Sequence, residues 1–594
     1  MGESMKYLSF KEYKKCICPI STFFIIVLGF YFFLFKRYTP IFGINDDWTV
    51  YMVLSGSYLG KPDPYVLFFL YPLAWLLCLL YKITTEIPWY GLLLHGCFIL
   101  SGFWLFIRCY TRLKTKRLLV AIVALVIFLC SNIRILLAIQ YTHSAAVCGA
   151  AAIFCFITAD TKGADWKQYL WTNIPTVLMA ALALSIRQNA AYMCLPVAGM
   201  LFLAKWLIED RKIDLELIKK YSGFLITLFG VLGSLLLIHK IAYSDVLWSE
   251  YADINYYREK VVDFYGGLTY EEMKDVADEI GMTEEEYNLR EMMLPFYNAD
   301  MPYSEFLKIM TERSKEKYDL AHPFSDRLED ANKNIVESLT DKNLRPQNLI
   351  YGILFVAAIM CFVCNKEWKG ILALGFYLFG RFFAWYYVLF NGRFPIRIPQ
   401  CLYAIDILAV LAILIFFQEA RAEKKSFNDT INITLGIILV VITLGTFYSA
   451  FNQLEEEMAY IDVYQDRWYG VKEYCMQHPE NMYLLNDGSR TLYYYSDNVF
   501  DTKTTGKLQN YYSISNFYSM SPNCFKKTNM PPGCNMAEEL LNQGNNYWIY
   551  EKGQFTGEEE FVKYYRNHYP TFSCELVDTF ETETASFEVY FMTK

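Results

Sequence analysis

Up to about residue 450 the sequence is a succession of long apolar stretches separated by short polar ones, and this pattern restricts the fold more than any other feature. A helix crosses a bilayer with about 20 mostly apolar residues. The runs 19–35, 89–107, 117–131, 141–158, 169–186, 190–208, 221–241, 348–364, 369–390, 400–417 and 431–450 meet that need, giving 11 expected spans. Composition agrees, with 54% hydrophobic and only 20% charged residues among 594; soluble domains carry roughly 25% charged. A net charge of −8 argues against nucleic-acid binding through bulk positive charge. Abundant apolar side chains exclude a predominantly disordered chain.

Orientation follows from Lys and Arg, which concentrate in cytoplasmic loops. Lys11, Lys14 and Lys15 place the N-terminus inside, and the first span, lacking an A-x-A-like site, does not read as a signal peptide. The most basic short loop, RCYTRLKTKR at 108–117, belongs inside too. That holds if the apolar run 65–81, which contains Pro72, lies along the interface instead of spanning. The loops TKGADWKQ, EDRKIDLELIKK, CNKEWKG and QEARAEKK then also fall inside. The expectation is a multi-pass plasma-membrane protein, N-terminus in and C-terminus out. Its parts are a membrane module 1–241 with a first external loop 36–88, an external insert 242–347, a second membrane module 348–450 and an external domain 451–594.

The insert is acidic, with roughly twice as many Asp and Glu as Lys and Arg. TYEEMKDVADEI and MTEEEYNLREMM read as amphipathic helices, each opening on Thr with Glu at capping distance. The tail alternates β-rich runs (NMYLLN, TLYYYS, NYWIYE, SFEVYFM) with Asn/Gly/Asp turns and reads as an α/β or α+β domain. Twelve of the sixteen cysteines precede residue 402, mostly in apolar runs, where Cys acts as a small hydrophobe. Cys475, Cys524, Cys534 and Cys574 lie in the tail and allow two disulfides in any of three pairings, or four thiols. Cys16 and Cys18 at the inner edge allow acylation, although packing is the simpler reading. The sequons at Asn428 and Asn432 fall inside and are expected to be unused.

No P-loop, dinucleotide fingerprint, H-E-x-x-H or paired C-x-x-C motif is present, and six His give little basis for a histidine metal site. Chemistry therefore has to come from loop carboxylates and arginines. Asp46 and Asp47 follow the first span by about ten residues, in IFGINDDWTVYMVL. Mutual repulsion and the nearby low dielectric raise carboxylate pKa values, which suits a general base acting on a hydroxyl; the alternative is plain helix capping. Arg393 and Arg397 stand in NGRFPIRIPQ, where Pro395 and Pro399 oppose helix. Paired guanidiniums grip phosphate, or merely snorkel. Arg187, Arg134, Gln140 and His143 also fall at external span ends, as donor or acceptor contacts or as interfacial anchors. Arg381 lies inside an apolar run, and Asp406 in the next span is its available partner.

With these residues the sequence resembles the GT-C superfamily of polyprenyl-phosphate-sugar-dependent glycosyltransferases, which includes protein O-mannosyltransferases, oligosaccharyltransferase catalytic subunits and lipid A aminoarabinose transferases. Members carry acidic residues in the first external loop, as Asp46-Asp47 here. An apolar interfacial helix follows, as 65–81, then a span ending in basic residues, as 108–117. A later external basic residue corresponds to Arg187, and an Arg-Tyr-like segment before a Pro and a late span corresponds to GRFPIRIPQCLYAIDIL. The sequence departs from the pattern where Phe394 follows Arg393 and in the acidic insert. NDDW, SGSYLGKPD, PWYGL, FYGGLTYEE and YNADMPYSEFL also resemble a group of polytopic bacterial envelope proteins, which implies no particular substrate.

The resemblance implies an inverting transferase. It would move a sugar from a polyprenyl-phosphate donor to an extracytoplasmic cell-wall polymer, lipid, surface glycan or protein. Asp46 or Asp47 would be the base, with the other orienting it, and Arg393, Arg397 and Arg187 would hold the donor phosphate. No cofactor is required; Mg²⁺ or Mn²⁺ on the Asp pair is the metal option, though two carboxylates are a thin ligand set. Two rivals stay open: a polysaccharide or lipid transporter or flippase, and a non-enzymatic scaffold with the same fold. A shared cavity for the Asp pair and the arginines separates the first reading from the last.

Overall fold

The computed structural model describes residues 10–113, 116–159, 161, 164–209, 214–290, 301–390, 392–418, 428–485, 497–503, 505–514 and 517–594. Ten of the eleven apolar runs form helices long and apolar enough to span a membrane, from Cys18–Arg37 to Gly436–Gln477. The exception is Arg117–Ser131, at 15 residues. It stops where the Asn132 side chain donates to the Phe128 carbonyl (2.7 Å), and a short helix, Ile133–Leu137, follows. The ambiguous run 65–81 forms the helix Tyr71–Ile83, with Pro72 in its first turn. Its 13 residues cover about 20 Å, too short for a hydrocarbon core of roughly 30 Å.

The bundle is built around Tyr141–Thr158, every residue of which is buried. Its Ala, Gly, Ser and Cys side chains let neighbouring backbones approach closely. Trp89–Arg112, Trp166–Ile186, Gln188–Glu209 and Arg397–Gln418 pack around it. A Cβ at Gly149 would meet Cys194 Sγ at 2.5 Å, and one at Gly380 would meet the Pro196 carbonyl at 2.8 Å. Outward side chains such as Ile25, Phe32, Trp171, Ile226 and Phe229 are apolar and exposed, as lipid-facing positions require. Inside the bundle Arg381 pairs with Asp406 at 2.8 Å, and Tyr377 and Trp385 donate to the same carboxylate. This pair is a structural contact between neighbouring helices.

The helix of the last apolar run continues past residue 450. Asn428–Gln477 is one helix of 50 residues, about 75 Å, and it carries the bundle straight into the C-terminal region. Glu455 and Glu457 on it pair with Arg37 and Arg134. The C-terminal sheet has the order β4-β3-β5-β7-β6. Its strands are β3 (Met482–Leu485), β4 (Tyr511–Ser513), β5 (Asn546–Glu551), β6 (Ser573–Glu581) and β7 (Ser586–Thr593). β3 is parallel to β4 and β5, whereas β7 is antiparallel to β5 and β6. Three of the four expected runs are strands; TLYYYS lies outside the described residues, as do the side chains of Cys16, Asn428 and Asn432. Cys475, Cys524, Cys534 and Cys574 are all free thiols.

In the insert, Tyr270–Glu279 and Glu284–Leu289 start at Thr269 and Thr283, each with a complete capping box to Glu272 and Glu286. Helices Val246–Glu259, Tyr303–Ala321 and Phe324–Thr340, with a 3-10 turn at Lys342–Leu344, make up the rest of its described helices. A π-helical turn, Lys260–Tyr265, extends the first of these.

Candidate active site

The first polar loop is fixed to the bundle by a two-residue parallel ladder. β1 (Ile41–Phe42) pairs with β2 (Ala138–Ile139), and the Gly43 amide continues the pairing by donating to Ile139 (2.8 Å). A Cβ at Gly43 would sit 2.6 Å from both the Ala138 carbonyl and Gln140 Cγ, so the approach depends on glycine. The chain then turns into the helix Asn45–Leu54, with Asp46 and Asp47 in its first turn. Carboxylates are favoured there by the helix dipole. Neither caps its own helix: the N-cap is Ile44, without a side-chain bond.

The two carboxylates have different surroundings. Asp47 is fully buried, and its Oδ1 accepts from the Tyr90 hydroxyl (2.6 Å) and the Tyr141 amide (2.9 Å). It thereby caps the central helix, while Oδ2 has no hydrogen-bond partner among the described residues. Burial pushes the Asp47 carboxyl well above the usual range; Asp46 adds to this, and the bonds from Tyr90 and Tyr141 and the charge of Arg397 oppose it. Asp46 is half-buried and lines a cavity of about 620 Å³. Its Oδ2 lies 3.4 Å from the Tyr141 hydroxyl.

Arg187, Arg393 and Arg397 line that same cavity. Arg187 lies between Trp166–Ile186 and Gln188–Glu209, and Arg397 opens the helix Arg397–Gln418. The Arg187 guanidinium stacks on Phe68 (4.5 Å) and lies 3.9 Å from Glu259. Arg393 pairs with Asp263 at 2.7 Å. Arg397 makes no ion pair among the described residues. The opposite end of the bundle holds a separate buried cluster in which Arg112 and Lys205 approach Glu209.

Three expected contacts are elsewhere. Arg134 is held by Glu457 and Gln453 on the long helix (2.6 and 2.9 Å). Gln140 donates to the Gly43 carbonyl at 3.1 Å, bracing the ladder. His143 bonds Gln400 at 2.9 Å between two helices. None of the three lines the cavity, because each is taken up in packing the elements that shape it.

Sequence reasoning missed Arg258, Glu259, Lys260 and Asp263, which line the cavity from the insert. Their sequence signal, the mixed-charge run REKVVD, is indistinguishable from a solvated face. As for a metal, no cluster of three or more His, Cys, Asp and Glu suited to an ion occurs among the described residues. Of the Asp pair, Asp47 Oδ1 is taken up by Tyr90 and Tyr141.

Fold and site together define a polytopic membrane protein with an arginine-rich, aspartate-bearing cavity at one end of its helices. No family model and no curated protein matches the chain. Among solved structures, it is similar to ArnT from Cupriavidus metallidurans in the apo state, at 10% identity and a TM-score of 0.40, covering 96% of this chain and 97% of that one. It is likewise similar to the same protein bound to undecaprenyl phosphate, at 10% identity and a TM-score of 0.39, covering 97% and 98%.

Proposed function

We propose that this chain is an inverting glycosyltransferase that moves a sugar from a polyprenyl-phosphate carrier to an acceptor outside the plasma membrane. One observation carries the reading: Asp46 and the three arginines, from loops far apart in sequence, line one cavity. In this reading Asp46 takes the proton of the acceptor hydroxyl. The resulting oxygen attacks the anomeric carbon from the face opposite the phosphate, and the glycosidic C–O bond to phosphate breaks. Arg187, Arg393 and Arg397 stabilise the charge that builds on the departing phosphate. Asp47 is a positioning residue, holding Tyr141 and the start of the central helix beside Asp46. The cavity volume is within the roughly 300–1,000 Å³ range of small-molecule sites, room for a sugar and its phosphate with the lipid tail outside.

Transfer from radiolabelled undecaprenyl-phosphate sugars to cell-envelope acceptors tests this. Asp46→Asn is expected to lower turnover by about 10²–10⁴-fold while still binding undecaprenyl phosphate. Arg397→Ala is expected to weaken that binding. Wild-type turnover in both variants would eliminate the assignment, leaving the transporter and scaffold readings.

A further inference from the structure

The described cavity lining carries five cations, Arg187, Arg258, Lys260, Arg393 and Arg397, against three carboxylates, Asp46, Glu259 and Asp263. Two of the cations are already occupied from within the chain: Glu259 faces Arg187 at 3.9 Å and Asp263 holds Arg393 at 2.7 Å. Both carboxylates come from one short stretch of the insert, which also contributes Arg258 and Lys260. Those two make no ion pair among the described residues, and the buried Arg258 Nε has no hydrogen-bond partner.

One stretch presents four charges to one cavity. Its backbone passes from the helix Val246–Glu259 into a π-helical turn, residues 260–265. Arg258, Glu259, Lys260, Asp263 and Phe264 all line the cavity. Gly266 follows at φ 84° and ends the turn.

We propose that segment 258–263 is an anion-exchange latch. Glu259 and Asp263 stand in for the phosphate on Arg187 and Arg393 while the site is empty, and an arriving phosphate takes over those two guanidiniums while Arg258 and Lys260 complete its binding site from above. This rests on the donor reading for its ligand. The insert is then part of the binding site, and its carboxylates compete with the substrate. A guanidinium can donate to phosphate in the same bidentate geometry as to carboxylate, so the two anions compete for one set of donors.

Binding of undecaprenyl phosphate, undecaprenol and inorganic phosphate to the full-length protein in nanodiscs tests the latch. Glu259→Gln with Asp263→Asn is expected to bind undecaprenyl phosphate about tenfold more tightly, a usual size for coupled sites. Arg258→Gln with Lys260→Gln is expected to bind it about tenfold more weakly. Undecaprenol should be unaffected throughout. Asp253→Asn makes the same charge change as either single acid variant, on the helix that carries Glu259 but outside the cavity lining, and should leave the binding of both anions unchanged. Should the double acid variant fail to fold, the single variants carry the test, each with a smaller gain. A wild type that binds undecaprenyl phosphate while the acid-to-amide variants bind it no more tightly overturns the latch and leaves the donor reading intact. A gain for inorganic phosphate, with undecaprenyl phosphate no better than undecaprenol, removes the donor reading and keeps the latch. No gain for either anion, or an equal gain in Asp253→Asn, overturns the latch.

Discussion

Asp46 and Asp47 show how one residue step along a helix turn separates two environments. Asp47 points into the junction of Tyr90 and Tyr141 and is fully buried, whereas Asp46 borders the cavity. Because burial raises the folded-state pKa of Asp47 above its unfolded value of 3.8, the native state holds the extra proton in the interval between them. Stability from this group is therefore greatest below about pH 4 and declines as pH climbs toward the raised value. Asn presents the same accepting oxygen to Tyr90 and Tyr141 without a charge. Asp47→Asn should fold, melt at or above the wild-type temperature at pH 7, and lose that decline; thermal melts in detergent from pH 4 to pH 8 would show it. Asp47→Ala leaves the Tyr141 amide without its acceptor and should cost about 1–3 kcal/mol.

At the scale of elements, the short ladder between β1 and β2 sets where the carboxylates sit. Two paired residues would be marginal alone; here Gly43 and Gln140 extend the pairing by two more bonds. Gly43→Ala drives a methyl into backbone and should displace the Asn45–Leu54 helix from the cavity. The expected result is the proposed transfer activity lost together with a lower melting temperature, whereas Gln140→Ala should lose only part of each. The helices themselves were legible in the sequence, because hydrophobic length is a one-dimensional property, and so were the Thr-Glu capping boxes of the insert. The ladder was not: Ile41–Phe42 and Ala138–Ile139 are too short to signal pairing, and the partners are almost a hundred residues apart.

Across the whole molecule, the C-terminal region is bound into the first polar loop. Trp48, next to Asp47, donates to Asp497 at 3.2 Å, and Asp497 pairs with Lys472 at 2.7 Å in a fully buried contact. Tyr51 bonds Thr505, Ser57 accepts from the Gly506 amide, and Asp63 accepts from Tyr518 and Asn523. The region is thus a brace for the helix bearing Asp46. Asp497→Ala leaves the Lys472 ammonium buried without its counter-charge, a loss of about 3–5 kcal/mol. Melting temperature and the proposed transfer activity should fall together, and the double variant Asp497→Ala, Lys472→Met should recover much of the stability.

The sequence alone determined that the chain threads a membrane many times, because runs of some twenty apolar side chains have no other stable environment. It also picked out the two aspartates and three arginines, since charges beside apolar runs are few and costly. Only the tertiary structure decided which of them share a cavity, that Asp47 turns inward while Asp46 does not, that Arg134, Gln140 and His143 serve packing, and that the acidic insert contributes Arg258, Glu259, Lys260 and Asp263. Those outcomes depend on contacts between residues 43 to 323 positions apart, and such contacts leave no periodic trace along the chain.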